Sequence, residues 1–248
     1  MMNFSAWEWA LFTAAILLAF CVRGGAGFGG GVVIAPLFAL FMPLQTVVPL
    51  VAGMNTLTSI AQGVADWRQV AWREIARLVP FSMIGVAMGI YFLANIDARP
   101  LYRAFGVFIT AYSIYVLVFK GKTPSIPQRW LTPVAAIISF FGGAVGSLFG
   151  GGVGPVFVIY LNSVGVDKDT FRATMNMLML TMGGTRIAGL LVAGMVTQEV
   201  LILIAIALPL AYVAGRVGTR IAQRFDQEAF TRMVGAVLLA SGVLLILK

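Results

Sequence analysis

The sequence predicts an all-α integral membrane protein made of two inverted-topology repeats, and three observations carry that expectation. The chain is 60% hydrophobic with 10% charged residues and a mean hydropathy of +0.96, whereas soluble domains carry roughly 25% charge. Its apolar residues fall into ten runs, most of them long enough to cross a hydrocarbon core of about 30 Å at ~1.5 Å per residue. A glycine cluster interrupts this pattern twice, at matching places.

The runs lie at 5-22, 31-42, 46-65, 75-94 and 101-119 within residues 1-122, the first repeat, and at 131-149, 152-164, 172-195, 199-222 and 229-247 within 123-248, the second. Together they form one membrane domain of about eight to ten helices. The first run, "AWEWALFTAAILLAFCV", lacks a basic leader and a small-x-small cleavage site, so it is expected to stay as a membrane helix. The runs 31-42 and 152-164 are short, and each directly follows glycines: "GGAGFGGG" at Gly24 to Gly31 and "GSLFGGGVG" from Gly146. Short or broken helices are expected there. The remaining runs read as full helices.

The duplication is visible residue by residue. A shift of 121 superimposes Gly29, Gly30 and Gly31 on Gly150, Gly151 and Gly152, Trp9 on Trp130, and Met54-Asn55 on Met175-Asn176. Farther along, a shift of 129 pairs Pro80 with Pro209, Gly89 with Gly218, Asp97 with Asp226, Arg103 with Arg232 and Gly106 with Gly235. Five crossings per copy would turn the second copy upside down. The basic residues agree: with the 66-74 loop in the cytoplasm, thirteen of the seventeen lie at or near the inner face, including Arg23, Arg68, Lys120, Lys122, Arg129 and the cluster Arg216 to Arg232. This follows the positive-inside tendency.

In lipid every backbone N–H and C=O must be satisfied, so a glycine-rich break is tolerated only inside protein or beside a watery cavity. Each glycine run opens the element after it, leaving first-turn N–H groups to meet an anion. The predicted binding residues are therefore Gly29, Gly30, Gly31, Gly150, Gly151 and Gly152. The paired Asn55 and Asn176 are expected to donate amide hydrogens, and Arg186 lies midway along 172-195, where a guanidinium is costly without a partner. Close helix packing is the competing use of glycine, through Gly142, Gly146 and Gly150; interhelical glue is the competing role for the asparagines. Arg23 reads equally as an interfacial or a site residue. The nominal dinucleotide match at Gly25, Gly27 and Gly30 lacks a preceding strand and a following acid.

Several classes are excluded by composition. Histidine is absent and Cys21 is the sole cysteine, so neither a metal cluster nor an intrachain disulfide is expected. With no nucleophile-base pair in view, no catalytic residue, cofactor or enzyme activity is predicted. The net charge of +8 belongs to the membrane faces rather than to nucleic acid. All nine acids fall at helix ends or in loops on this map, leaving no carboxylate embedded at mid-membrane. The partners expected are a small anion and membrane lipid, and a homo-oligomer is compatible with the sequence.

The motifs "GFGGGVVIAP" and "FGGGVGPVFVIYL", with the "GMN" and "TMN" helices, resemble the TauE/SafE family, also called the toluene sulfonate uptake permease family. The resemblance spans nearly the whole chain. It implies a multi-pass inner-membrane secondary transporter or uniporter for a small organic or sulfur-containing anion such as sulfite, sulfoacetate or another sulfonate. An anion channel with the same selectivity elements is the alternative.

Overall fold

In the computed structural model, residues 4–26, 30–63, 67–118, 127–151, 154–222 and 227–248 are described. They form ten α-helices: α1 (Ala6–Ala26), α2 (Gly30–Ala39), α3 (Leu44–Gly63), α4 (Trp72–Asn95), α5 (Ala98–Val118), α6 (Leu131–Phe149), α7 (Gly154–Val164), α8 (Lys168–Val192), α9 (Gln198–Ala222) and α10 (Gln227–Leu247). Single 3₁₀ turns at Trp67–Gln69 and Gln128–Trp130 precede α4 and α6. No strand occurs among the described residues.

Among the described residues, five stretches are long and apolar enough to cross a membrane: Ala6–Gly24, Trp72–Asn95, Gln128–Phe149, Asp169–Val192 and Gln198–Gly218. The ten residues of α2 cover only about 15 Å as helix, half of the hydrocarbon thickness. Large apolar side chains such as Trp7, Ile84, Tyr91, Val107, Phe141 and Leu191 remain exposed on the outside of the bundle, as a lipid-facing surface requires.

The helix ends follow from their residues. Asp167 caps α8 by accepting from the backbone N–H groups of Asp169 and Thr170, each at 3.1 Å, which satisfies first-turn donors. At the other end, Gly194 adopts φ +68° while its N–H bonds Leu191 and that of Met195 bonds Leu190, the double closure that a left-handed glycine permits. Gly150 stops α6 in the same backbone region, with φ +81°.

The halves interlock by exchange. Helix α1 packs on α9 while α6 packs on α4, and α3 packs on α9 while α8 packs on α4; α3 meets α8, and α5 meets α10. Swapping the first five helices with the last five reproduces this pattern. Glycine sets the closest approaches: a Cβ on Gly85 or Gly89 would strike the α6 backbone at Phe140 or Ala144, one on Gly143 would strike the Ser82 carbonyl, and one on Gly218 would strike the Cys21 backbone. Small residues let backbones meet this way where lipid supplies no hydrophobic drive between helices. At this seam Gly143 meets Ser82 and Val86 of α4, and Gly142 and Gly146 are buried in the same helix.

The α5–α10 seam repeats the rule at residue level. A Cβ on Gly106 would lie 2.7 Å from Gly242 O and 2.7 Å from Ile246 Cγ1, and one on Gly235 would lie 2.7 Å from Leu117 Cδ2. The Ser113 hydroxyl donates to Gly235 O at 2.6 Å. Gly106 faces positions 242 and 246 while Gly235 faces 113 and 117, and each of these contacts maps onto another by the 129 shift. As numbers rise along α5 they fall along α10. The two matching helices are antiparallel.

Apolar packing fills the space between. The Phe12 and Phe38 rings stack at 4.9 Å, holding α2 to α1, and Phe105 stacks on Phe149 at 4.7 Å, tying α5 to the end of α6. A second cluster, centred on Phe157, Tyr160, Leu78 and Leu178, surrounds α7.

Candidate functional site

The two glycine breaks touch. A Cβ on Gly151 would lie 2.7 Å from the Gly31 carbonyl carbon, and one on Gly31 would lie 3.3 Å from Gly150 O and 2.7 Å from Asn55 Nδ2. Backbone therefore meets backbone here, in a space closed to any side chain. Of the sequence-predicted residues, Gly30, Gly31, Asn55, Gly150 and Gly151 come together at this crossing. Gly29 and Gly152 lie outside the described residues.

Local sequence explains the two openings and separates them. Helix α1 runs through Gly24 and Gly25 to Ala26, and α2 starts at Gly30, where Gly30 and Gly31 are buried. On the other side Gly150 ends α6 and α7 starts at Gly154. Residues 152 and 153, between Gly151 and the described start of α7, lie outside the described residues.

Arg23, in the last turn of α1, joins the first opening. Its Nη1 donates to Asn55 Oδ1 at 2.6 Å and its Nη2 to Ser59 Oγ at 2.8 Å; Ser59 Oγ in turn donates to the Asn55 carbonyl at 2.7 Å. The side chain is 7% exposed and its Nε has no partner among the described residues. Arg23 Cδ would lie 3.3 Å from a Cβ on Gly30, so the guanidinium stem rests on the first residue of α2. Both of its named partners are neutral. The charge is buried among dipoles.

Arg186 occupies a comparable place on the second side. It is 7% exposed, and its Nε donates to Ser147 Oγ at 3.2 Å, one turn before Gly150. No carboxylate among the described residues pairs with it. Asn176 is also buried, yet makes no hydrogen bond among the described residues; the position equivalent to Arg23 in its repeat is Ala144. The threonine hydroxyls of α3 and α8 serve their own helices: Thr56 bonds Ala52 O at 2.8 Å, Thr58 bonds Met54 O at 2.7 Å, Thr181 bonds Met177 O at 2.6 Å and Thr185 bonds Thr181 O at 2.9 Å. Such back-bonding leaves little capacity for a ligand.

One acid lies at a helix end, as the sequence places it, and is also buried. Glu74 sits in the first turn of α4 but is 5% exposed. Its Oε1 accepts from Arg77 Nη1 at 2.7 Å and its Oε2 from the Tyr160 hydroxyl at 2.6 Å. The burying partner, Tyr160, lies 86 residues away in sequence, which is why position alone did not reveal it.

An all-helical bundle with apolar outer faces, closed glycine crossings and buried cations that meet no acid among the described residues is the architecture of a multi-pass membrane transporter. The chain belongs to the sulfite exporter TauE/SafE family, whose description it matches over residues 12–245. It is also similar to a probable inner membrane transporter protein TsaS of Comamonas testosteroni, 26% identical over 198 residues that cover 78% of this chain and 80% of the relative. No solved structure matches the chain. The protein is accordingly a multi-pass protein of the inner membrane.

Proposed function

We propose that the protein is a secondary transporter or uniporter that carries a small sulfur-containing or organic anion, sulfite, sulfoacetate or another sulfonate, bound where the glycine breaks cross. The observation that carries this reading is Arg23: a buried guanidinium with neutral partners and an Nε unpartnered among the described residues, resting on the first residue of a half-helix. A charge buried without a counter-ion is costly. An anion at the α2 N-terminus would supply that counter-ion and meet free backbone N–H groups at once. Arg186 provides, beside the other break, a second cation that meets no acid among the described residues, and its planar fork suits a sulfonate or carboxylate. The name of the TsaS relative points to the same class of protein.

The inverted arrangement of the halves belongs to this proposal. Matching helices α5 and α10 run antiparallel, and a chain reaches that geometry only with an odd number of crossings per half. The broken α2 and α7 then each count as a crossing together with their glycine stretches. Single cysteines at Lys122 and Ala98 in a Cys21→Ser background test it: an impermeant maleimide should label position 98 and spare 122 in intact cells, and the reverse would overturn the orientation. Transport is tested by proteoliposome uptake of sulfite, sulfoacetate, taurine, sulfate and simple carboxylates. Saturation and trans-stimulation with a sulfonate or sulfite support a carrier, whereas unitary currents would establish the channel alternative. Uptake of none of these anions would sink the reading.

A further inference from the structure

Glu74 is a buried carboxylate that anion binding does not use, and its position links it to the moving parts a transporter needs. It ties α4 to α7, the half-helix opened by the second glycine break, through the fully buried Tyr160. Three residues before Glu74, the Ala71 N–H donates to Thr174 Oγ1 at 2.9 Å, joining the same end of α4 to α8 two residues from Asn176. The tether exists once. Position 39, the repeat-mate of Tyr160, is Ala39, and positions 195 and 203, which the two shifts assign to Glu74, are Met195 and Leu203.

The surroundings of Glu74 leave its charge resting on few groups. From its own helix comes Arg77, half-exposed, and from α7 the Tyr160 hydroxyl. Helix α8 brings Thr174 beside it, while Asp169 and Arg172 of α8 are exposed, as are Arg73 of α4 and Arg68 of the preceding turn. Helices α6 and α3, which also pack on α4, contain no titratable residue. Binding a proton would neutralise the carboxylate, remove the charge facing Arg77 and turn one acceptor oxygen into a donor. The short Tyr160 hydrogen bond to a charged acceptor would then be replaced by a weaker neutral one, charge-assisted bonds being roughly twice as strong.

We propose that Glu74 is the proton-binding site of this transporter, coupling proton movement to the anion step by holding α7 through Tyr160 when ionised and loosening it when protonated. The proposal rests on the anion-transport reading above. Acidic side chains buried in membrane helices recur in the proton relays of pumps and transporters.

The test uses the full-length protein reconstituted in liposomes with sulfoacetate, a sulfonate whose charge is constant between pH 6 and 8. In the wild type an imposed pH gradient should drive accumulation. In Glu74→Gln that driven component should be lost, while counterflow, which needs no net proton movement, persists. Tyr160→Phe keeps the carboxylate but frees the half-helix, so it should shift the pH midpoint of transport. Infrared difference spectra should show a carboxyl band appearing on acidification in the wild type and missing from the glutamine variant. Gradient-driven accumulation retained by Glu74→Gln, an unchanged pH profile in Tyr160→Phe, or a carboxyl band that survives the glutamine substitution would each overturn the proposal. Wild-type counterflow with no response to the gradient would sink this coupling and leave the anion reading standing. If the wild type shows no sulfoacetate counterflow, the gradient test is run with whichever anion of the panel is taken up; uptake of none would fell both readings, and a missing wild-type carboxyl band would by itself overturn the proton site.

Discussion

The two glycine breaks share a backbone plan and differ in chemistry. At the first, Arg23 reaches Asn55 and Ser59 and rests on Gly30. At the second, Asn176 is buried without a hydrogen bond among the described residues, Ala144 stands where Arg23 would be, and the neighbouring half-helix is instead tied by Tyr160 to Glu74. Duplication kept what the packing needs, glycine at the crossing, and let the polar groups diverge. In the proposed mechanism both halves face the anion, through Arg23 and Arg186, and the second half alone carries the Tyr160–Glu74 tether.

The sharpest way to break the comparison is at the element both halves share. Gly151→Val should abolish uptake while membrane insertion persists, because its side chain would run into Gly31 backbone that has nowhere to retreat. Normal uptake by a stably inserted variant would show that the crossing is not needed. Next comes Arg23→Gln, which should weaken substrate binding by about 10- to 100-fold, since a hydrogen bond to a charged group contributes roughly 1.5–3 kcal/mol and ~1.4 kcal/mol is tenfold. Arg23→Lys should recover only part of it, as the fork geometry is lost. Binding by isothermal titration is the measurement, and an unchanged affinity in the glutamine variant would remove Arg23 from the site.

A finer test pits the paired asparagines against each other. Asn55→Ala leaves the Arg23 Nη1 without its acceptor and should cost about tenfold in affinity on the same scale. Asn176→Ala removes no hydrogen bond among the described residues and should cost much less; equal losses would mean that the halves bind alike. The smallest effect is expected at Asp167, outside the crossing. Its hydrogen bonds, chiefly with Thr170, hold its carboxyl below the usual carboxylate range, so its contribution is present above the unfolded pKa and disappears as pH falls through the folded one. Asp167→Ala should therefore lower Tm slightly at neutral pH, with the difference narrowing in acid. A gap that widens in acid would contradict the capping role.

How much of this could be read from the chain depends on how local each signal is. Lengths of apolar runs and glycine clusters are local, and they gave ten helices with α2 and α7 as the short pair. Arg186 stood out because a guanidinium inside an apolar run is costly without a partner, and the structure buries it. Arg23 was ambiguous because a cation at a helix end also satisfies the positive-inside tendency, and only the return of α3 beside it shows that it points inward. Glu74 was hidden for the same reason: a first-turn acid favours any helix N-terminus, and its burial is decided by Tyr160 on a distant helix.

The exchange packing also sets a timetable for biosynthesis. The Cys21 thiol meets the Ala214 carbonyl at 3.4 Å across 193 residues of sequence, and Gly218 closes on the same turn of α1. At a translation rate of about 5–20 residues per second, α1 waits ~10–40 s in the bilayer before α9 is made. During that interval Arg23 stands in the membrane with α3 as its early shelter, since Asn55 and Ser59 emerge long before α9 does. The Arg23 network thus serves the newborn chain before it serves a substrate, parking a charge until the late helices arrive to enclose it.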